Sequence, residues 1–225
     1  MINRNHIAQT GQIPDGLQLF QDDYPLEIVD TKKSITESAS GTKIPVMKLT
    51  GVFQRADEKN ANGRIYPANV LKQAIGDMQE AVKNRRVLGE YDHPETAKIH
   101  MERVSHLITK LFMEGKVVYG EIEVINDERC PFGSQLACLM DRKVQVGISS
   151  RGVGDMEMTE CDGEDAYMVQ PGFSFVTFDC VAEPSVKGTQ LEKINESLIR
   201  NIYSKKRLKQ IREQLLRSEI SKLFR

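Results

Sequence analysis

Apolar and polar residues alternate along several stretches of this chain, a pattern typical of strands that bury one face. The stretches are residues 45–53, two runs within 103–124, residues 143–149 and residues 174–181. Glu114, Gly115 and Lys116 separate the two runs within 103–124, which predicts a long β-hairpin.

Other stretches have helical spacing. Pro67 is suited to the first turn of a helix, where a missing N–H costs nothing. The apolar residues that follow recur every three or four positions: Val70, Leu71, Ala74, Ile75, Met78 and Val82. This helix should end near residues 84–86. A shorter helix is predicted at 134–141, with Leu136, Leu139 and Met140 turned inward.

These elements predict an α+β chain in three parts. Residues 1–44 hold scattered Gly, Pro, Ser and Thr and are expected to form a flexible N-terminal arm or linker. Residues 45–186 carry the strands and both helices and form the predicted domain. Residues 187–225 show the spacing of a basic amphipathic helical tail.

Composition excludes some classes of protein. No apolar run approaches the ~18 residues that a membrane span needs, and the first six residues are polar, so neither a membrane protein nor a Sec-exported protein is expected. The formal net charge of −1 argues against a dedicated nucleic-acid binder. Residues 193–225 nevertheless hold ten Lys or Arg against three Asp or Glu, a net of +7, which suits an acidic partner, nucleic acid or a solvated helix face.

The four cysteines have no metal-site spacing. Cys130, Cys138, Cys161 and Cys180 include no CxxC pair, so a structural zinc site is not expected. Reduced thiols that pack as small apolar residues are the simplest interpretation.

The first candidate for chemistry is Gly147-Ile148-Ser149-Ser150-Arg151-Gly152. A nucleophilic serine needs an exposed hydroxyl and nearby N–H groups for the oxyanion, and a strand that ends in a Gly-containing turn supplies both. Alternation puts Ser149 on the less apolar face and Ser150 on the face of Ile148, which favours Ser149. A strand-to-turn junction capped by serines explains the same segment without catalysis.

The second candidate is His93, in a polar loop near Glu90 and Asp92. Histidine is suited to act as a base near neutral pH, although this segment alone favours a loop histidine without catalytic function. His6 falls in the arm, His100 in a loop, and His106 in the hairpin, where packing is the expected role.

The third candidate is Asp179, a carboxylate within an apolar strand that needs a partner there. Orienting a catalytic histidine is one such partnership, and a hydrogen-bonded structural aspartate is another. A divalent metal site could use some of the same residues, namely Glu90, Asp92, His93 and His106. Their spacing matches no known metal-binding motif.

Taken in order, these segments resemble the prohead core maturation proteases of tailed myoviruses. The segments that carry the resemblance are residues 89–94 and 147–152, together with Phe53-Gln54, Asn60, Arg64-Ile65-Tyr66-Pro67, residues 117–120 and residues 179–185. The match spans residues 45–186. It implies a fold related to the herpesvirus capsid protease, with a β-barrel-like core and flanking helices.

The resemblance also implies an activity. It implies a serine endopeptidase zymogen with Ser149 as nucleophile, His93 as general base and Asp179 as the third member of the triad, with Glu90 or Asp92 as alternatives. Ser150, Arg151 and Gly152 would support the oxyanion. No cofactor and no metal are implied.

The implied substrates are the procapsid scaffold or core proteins, the major capsid protein and the chain itself, cut after Glu inside the assembling procapsid in the host cytoplasm. Self-cleavage is expected after Glu37 and Glu196, each followed by Ser and preceded two residues earlier by Ile. Leu88-Gly89-Glu90 fits the same pattern but should be protected by folding. A homo-oligomer is expected, and neither a membrane nor nucleic acid is expected as a partner.

Two further hypotheses belong to other classes. An inactive scaffold or tube-forming protein could use the same fold, because fold does not fix function. A metal-dependent hydrolase would use Glu90, Asp92 and His93.

Overall fold

The structure is a computed structural model that describes residues 2–25, 28–37 and 41–181. By its internal contacts the chain divides into Met1–Val186 and Lys187–Arg225. The predicted basic helical tail, with Glu196, lies outside the described residues. Within the described residues no helix is long and apolar enough to cross a membrane.

Strands dominate the described chain. The helices are α1 (Arg4–Thr10), α2 (Ala68–Lys83) and α3 (Pro131–Asp141), with a 3₁₀ turn at Met101–Arg103. The strands are β1 (Gln18–Pro25), β2 (Ile28–Glu37), β3 (Lys43–Arg55), β4 (Arg64–Ile65), β5 (Leu88–Glu90), β6 (Val104–Glu114), β7 (Val117–Val124), β8 (Gly147–Gly154), β9 (Met156–Cys161), β10 (Glu164–Val169) and β11 (Ser174–Val181).

The described strands form three sheets. The largest has the order β2-β3-β7-β6-β5, and two three-stranded sheets have the orders β1-β8-β11 and β4-β10-β9. The sheet containing β8 adjoins the large one where a parallel bridge joins Tyr91 to Cys180 and the Asp92 N–H donates to the Cys180 carbonyl at 2.8 Å. The α+β class is confirmed. The barrel-like core is not, because no ladder closes these described sheets into a barrel.

Helix α2 follows the sequence pattern closely. Its six periodic apolar residues are all buried, since they face the main core. Their spacing of three and four positions places them on one side of the helix. Pro67 is the residue immediately before the helix, and Asn84 caps its end. The predicted helix from Pro67 to residues 84–86 is therefore confirmed.

The hairpin and the last strand are also confirmed. Strands β6 and β7 pair antiparallel around Gly115, which has φ +59° in the turn. The ring of the core residue Phe53 leaves no room for a side chain at Gly120 of β7, because a Cβ there would lie 2.2 Å from that ring. Strand β11 has the predicted bounds of 174–181.

Strand β8 differs from the prediction in its position. It begins at Gly147 rather than at residue 143 and continues through Ser149, Ser150 and Arg151 to Gly154. The preceding residues instead end helix α3, since the Val144 N–H donates to the Leu139 carbonyl at 3.0 Å. The serines therefore lie within a strand and not at its end.

The described part of residues 1–44 is not a linker. It forms α1, β1 and β2, and β1 pairs along its whole length with β8. Strand β1 is held from its other side as well, because the Arg64 guanidinium and the Tyr66 hydroxyl both donate to the buried Asp22 carboxylate. Such long-range pairing leaves only a weak local signal in the sequence, which explains why the sequence pattern favours an arm.

Candidate active site

Strand β8 is the central strand of its sheet, so each of its side chains lies between one from β1 and one from β11. Ser149 lies opposite Asp23 of β1 and opposite Asp179 of β11. Directly opposed residues point to the same face of a sheet with Cβ atoms about 4.5–5.5 Å apart. Two positions along, Arg151 lies opposite Gln21 of β1. One face of the sheet therefore presents a serine, two aspartates, an arginine and a glutamine.

The segment that carries His93 covers this face. Gln21 Nε2 donates to the Pro94 carbonyl at 2.8 Å. Arg151 Nη1 donates to the Thr96 carbonyl at 2.9 Å and to the Lys98 carbonyl at 3.0 Å. The candidate histidine is thereby held over the strand of the candidate nucleophile.

The His93 ring lies close to a carboxylate of β1. Its Nε2 lies 3.6 Å from Asp23 Oδ1, while its Nδ1 is buried and has no hydrogen-bond partner among the described residues. The ring is 27% exposed and the Asp23 side chain 11%. Asp23 is thus the carboxylate that pairs with His93, and it lies directly opposite Ser149.

Ser149 is completely buried, whereas the sequence predicted an exposed hydroxyl. Its Oγ has no hydrogen-bond partner in the described structure, so no hydrogen bond joins it to His93. The burial follows from its position in the middle of a central strand beneath the segment carrying His93. The predicted preference for Ser149 over Ser150 agrees with the faces of β8. Ser150 lies beside Phe178 on the core side, where its Oγ reaches the Asp22 carbonyl at 3.5 Å.

Asp179 has a different set of partners from the one predicted. Its Oδ2 lies 2.6 Å from Arg151 Nε, and its Oδ1 accepts hydrogen bonds from Arg151 Nη2 at 3.1 Å and from the Glu90 N–H at 2.9 Å. Burial raises the pKa of Asp179 to about 7, and the adjacent Arg151 charge opposes that shift. Because its carboxylate is directed at the guanidinium and not at His93, Asp179 does not fit the predicted orienting role in this geometry.

The two alternative carboxylates are also engaged elsewhere. Glu90 is fully buried, accepts a hydrogen bond from the His100 N–H and lies 3.4 Å from Arg151 Nη2. The exposed Asp92 accepts from the His93 N–H at 3.0 Å and lies 3.6 Å from Arg103. Asp92 also has φ +64°, in the left-handed region, which is uncommon for a residue with a Cβ. Asp92 therefore shapes the backbone just before His93.

The three residues predicted to support an oxyanion have structural contacts. Ser150, Arg151 and Gly152 lie inside β8, whose backbone groups face β1 on one side and β11 on the other. The Arg151 side chain is fully buried. Gly152 is needed for packing, because a Cβ there would lie 2.3 Å from the Phe173 ring. The predicted Gly-containing turn after the serines is absent from this part of the chain.

His106 is a packed residue, as predicted. It is fully buried, with Nδ1 2.9 Å from Ser105 Oγ and Nε2 2.9 Å from the Phe178 carbonyl. Burial lowers its pKa to about 4, so it is neutral near pH 7. The described residues contain no group of three or more His, Cys, Asp or Glu arranged to hold a metal ion.

Asp23 is the residue that sequence reasoning missed. It lies in a segment interpreted as an arm, and no motif surrounds it. A weak signal exists in retrospect. Leu19, Gln21 and Asp23 alternate with Phe20, Asp22 and Tyr24, and that alternation predicts a short strand.

Comparison with known proteins places this chain in a family. Residues 3–197 match the family described as prohead core protein serine protease. The chain belongs to this family. It is 32% identical over 166 residues to the prohead core protein protease of Enterobacteria phage T4, covering 72% of this chain and 76% of that protein.

A solved structure agrees with that assignment. The structure of the bacteriophage T4 capsid assembly protease matches with a TM-score of 0.63 and 28% identity, covering 73% of this chain and 98% of the other. Membership of the prohead core protease family, inferred from the ordered motifs, is therefore confirmed. The chain is a protease of this family.

Proposed function

We propose that this chain is a serine endopeptidase of procapsid maturation, with Ser149 as nucleophile, His93 as general base and Asp23 as the carboxylate that orients His93. One observation carries the assignment. Asp23 lies directly opposite Ser149 in the β1–β8 pairing and is 3.6 Å from the His93 ring. A serine, a histidine and a carboxylate on one face of a rigid sheet meet the requirements of acyl transfer.

The ring orientation of His93 defines the proton path. With Nε2 towards Asp23, the tautomer protonated at Nε2 is favoured, and unpaired Nδ1 is left as the base. Nδ1 takes the Ser149 proton as Oγ attacks the peptide carbonyl, and the imidazolium then gives it to the leaving amine. Water repeats the sequence on the acyl-enzyme and releases the acid. Asp23 stabilises the imidazolium in both halves.

The described conformation precedes catalysis. Ser149 Oγ is inaccessible and has no hydrogen bond to His93, so a substrate can reach it only after the segment carrying His93 shifts. Catalytic hydrogen bonds are often formed only when substrate binds. The burial of the nucleophile agrees with a zymogen that is activated during assembly.

The proposed substrates follow from the relatives. The names of the T4 proteins refer to a prohead core protein protease and a capsid assembly protease. We extend this to procapsid core or scaffold proteins and the major capsid protein, cut after Glu by a homo-oligomeric enzyme inside the assembling procapsid in the host cytoplasm.

The first experiment uses a quenched fluorescent peptide with the sequence of residues 31–43, which contains Ile35-Thr36-Glu37-Ser38. Ser149→Ala and His93→Ala should each abolish its cleavage, since loss of a triad nucleophile or base can cost ~10⁶-fold in rate. Ser150→Ala is the matched control and should stay within tenfold of the parent enzyme. Loss of activity in Ser150→Ala but not in Ser149→Ala would move the nucleophile by one position.

The structure indicates what self-cleavage after Glu37 would do to the N-terminal part of the chain. Glu37 is exposed at the end of β2, where it pairs with Lys43 of β3. Because β1 and β2 are both part of sheets, a cut there would not release an arm. By contrast, Glu90 is fully buried and protected.

Intact-mass analysis should detect chains ending at Glu37 and Glu196 in the active protein and neither in Ser149→Ala. On gel filtration, the piece ending at Glu37 should elute with the remainder. Cutting after Glu196 would remove most of the basic tail, which we propose docks the zymogen on an acidic scaffold. Identical fragments from Ser149→Ala would contradict self-cleavage.

A further inference from the structure

Arg151 is a fully buried arginine, and each of its three guanidinium nitrogens lies close to an oxygen atom of the surrounding chain. A guanidinium has five N–H donors in a fixed planar arrangement. Nε faces Asp179 Oδ2 at 2.6 Å, and Nη2 faces Asp179 Oδ1 at 3.1 Å and Glu90 Oε2 at 3.4 Å. Nη1 donates to the carbonyls of Thr96 and Lys98 at 2.9 and 3.0 Å. The side chain thus joins two buried carboxylates to the backbone of a loop.

That loop is the one that carries His93. Thr96 is three residues beyond His93, and the loop is fixed again at Pro94 by Gln21. Arg151 itself is two residues beyond Ser149 on the same face of β8. Residues two apart on one strand are separated by about 7 Å. A single side chain therefore connects the segment of the proposed base to the strand of the proposed nucleophile.

Stability alone is a poor explanation for this arrangement. Removing charged groups from water costs several kcal/mol per ion, and replacing a buried ion pair by apolar side chains is often neutral or stabilising. What an apolar residue cannot replace is the pair of hydrogen bonds to the Thr96 and Lys98 carbonyls. Lysine cannot replace them together with the carboxylate contacts either, since its ammonium has three donors and no planar geometry.

We propose that Arg151 is a positioning residue for His93, which it serves by fixing the backbone of residues 96–98 to the strand that carries Ser149. This inference rests on the proposed function of Ser149 and His93. In this proposal the Arg151 guanidinium fixes the position of the base, His93, and does not stabilise the oxyanion. Asp179 and Glu90 hold the guanidinium in the orientation that the loop requires.

The test uses Arg151→Lys and a small fluorophosphonate probe that modifies activated serines. Ser149 Oγ forms the bond to phosphorus, fluoride leaves, and His93 takes the proton. The rate of this reaction therefore reports the alignment of His93 and Ser149, and it does not depend on the binding of a peptide substrate. Per folded molecule, Arg151→Lys should react at least tenfold more slowly, since a misplacement of about 1 Å can cost 10²-fold. With the peptide substrate, kcat should fall while KM stays within twofold.

Leu71→Ala in helix α2 is the control for stability, because Leu71 is fully buried in the core but makes none of the site contacts described above. It should lower the melting temperature and leave the probe rate per folded molecule unchanged. An Arg151→Lys protein that folds and reacts at the parent rate would overturn the proposal. If a parent preparation that cleaves the peptide of residues 31–43 is not labelled at Ser149, the proposed function fails and not only the role of Arg151.

Arg151→Lys could fail to fold, and a second variant covers that outcome. The combination of Glu90→Gln, Arg151→Met and Asp179→Asn removes the three charges together and avoids an unpaired buried ion. If it folds and its probe reaction is slowed at least tenfold, the positioning role is supported. Folding with the parent rate, or failure of both variants to fold, would make Arg151 a core residue and refute the proposal.

Discussion

Asp23→Asn tests which carboxylate orients His93. At 3.6 Å and an effective dielectric constant of ~20, the Asp23 carboxylate and a protonated His93 would attract each other by about 5 kcal/mol. The ring is 27% exposed, so solvent screening reduces this to roughly 2–3 kcal/mol. With 1.36 kcal/mol per factor of ten, Asn should lower kcat about 100-fold.

The assay is steady-state cleavage of the peptide with the sequence of residues 31–43, combined with thermal unfolding followed by circular dichroism. Asparagine has nearly the same shape as aspartate, so the melting temperature of Asp23→Asn should change little. The loss should appear in kcat rather than in KM, because the missing charge acts on the imidazolium that forms during the reaction.

Asp179→Asn is the matched comparison, since Asp179 lies on the other side of Ser149 in the same row. It should reduce kcat less than tenfold, because Arg151 keeps Glu90 and both loop carbonyls as partners. An Asp23→Asn enzyme within threefold of the parent would refute the assignment. A larger loss in a folded Asp179→Asn protein would return the third role to Asp179.

Two further predictions concern stability. Burial lowers the pKa of His106 to about 4, so between pH 4 and 6.5 the unfolded chain binds a proton that the folded chain lacks, and stability rises with pH. Burial raises the pKa of Asp179 to about 7, so that group makes stability fall as pH rises through the same window. Denaturant titrations should therefore show a steeper rise from pH 4 to 6.5 in Asp179→Asn than in the parent, and equal slopes would contradict this balance. Gly89→Ala should destabilise by about 1–3 kcal/mol, because its Cβ would lie 2.1 Å from His106 Nε2. Gly76→Ala, in a helix interior with open space around it, should stabilise by about 0.5–1 kcal/mol, and equal melting temperatures for the two would refute the packing argument.

Local periodicity predicted the elements whose burial depends on one face. Helix α2 and the β6–β7 hairpin each bury a stripe set by their own spacing, so their sequence alone indicates their structure. The choice of Ser149 over Ser150 followed from the same alternation. What periodicity could not provide was the length of β8. Its polar residues Ser149, Ser150 and Arg151 are buried by parts of the chain that are distant in sequence, such as the segment that contacts Arg151 through Thr96 and Lys98.

The pairing of distant segments was the main omission. Strand β1 is polar and short, and its partner β8 lies more than a hundred residues away, so nothing near Asp23 indicates its position opposite Ser149. The same limit explains why the partner of Asp179 was predicted wrongly. The sequence showed that this carboxylate needed a partner, but two candidates were available. Only the side-chain contacts in the folded protein show that Arg151, and not His93, meets the Asp179 carboxylate.

The proposed role of Asp23 would make the N-terminal strands part of the catalytic machinery, and the chain between β2 and β3 is their covalent connection to the rest of the protein. While this connection is intact, the effective concentration of β1 beside β8 is set by the length of the connecting chain and not by the protein concentration. If the proposed cut after Glu37 severs it, the strand becomes a ligand, and its occupancy follows mass action. Inside a closed shell the pieces would remain concentrated and the enzyme active. Dilution after release would let β1 dissociate from β8, so that proteolysis would cease without any inhibitor.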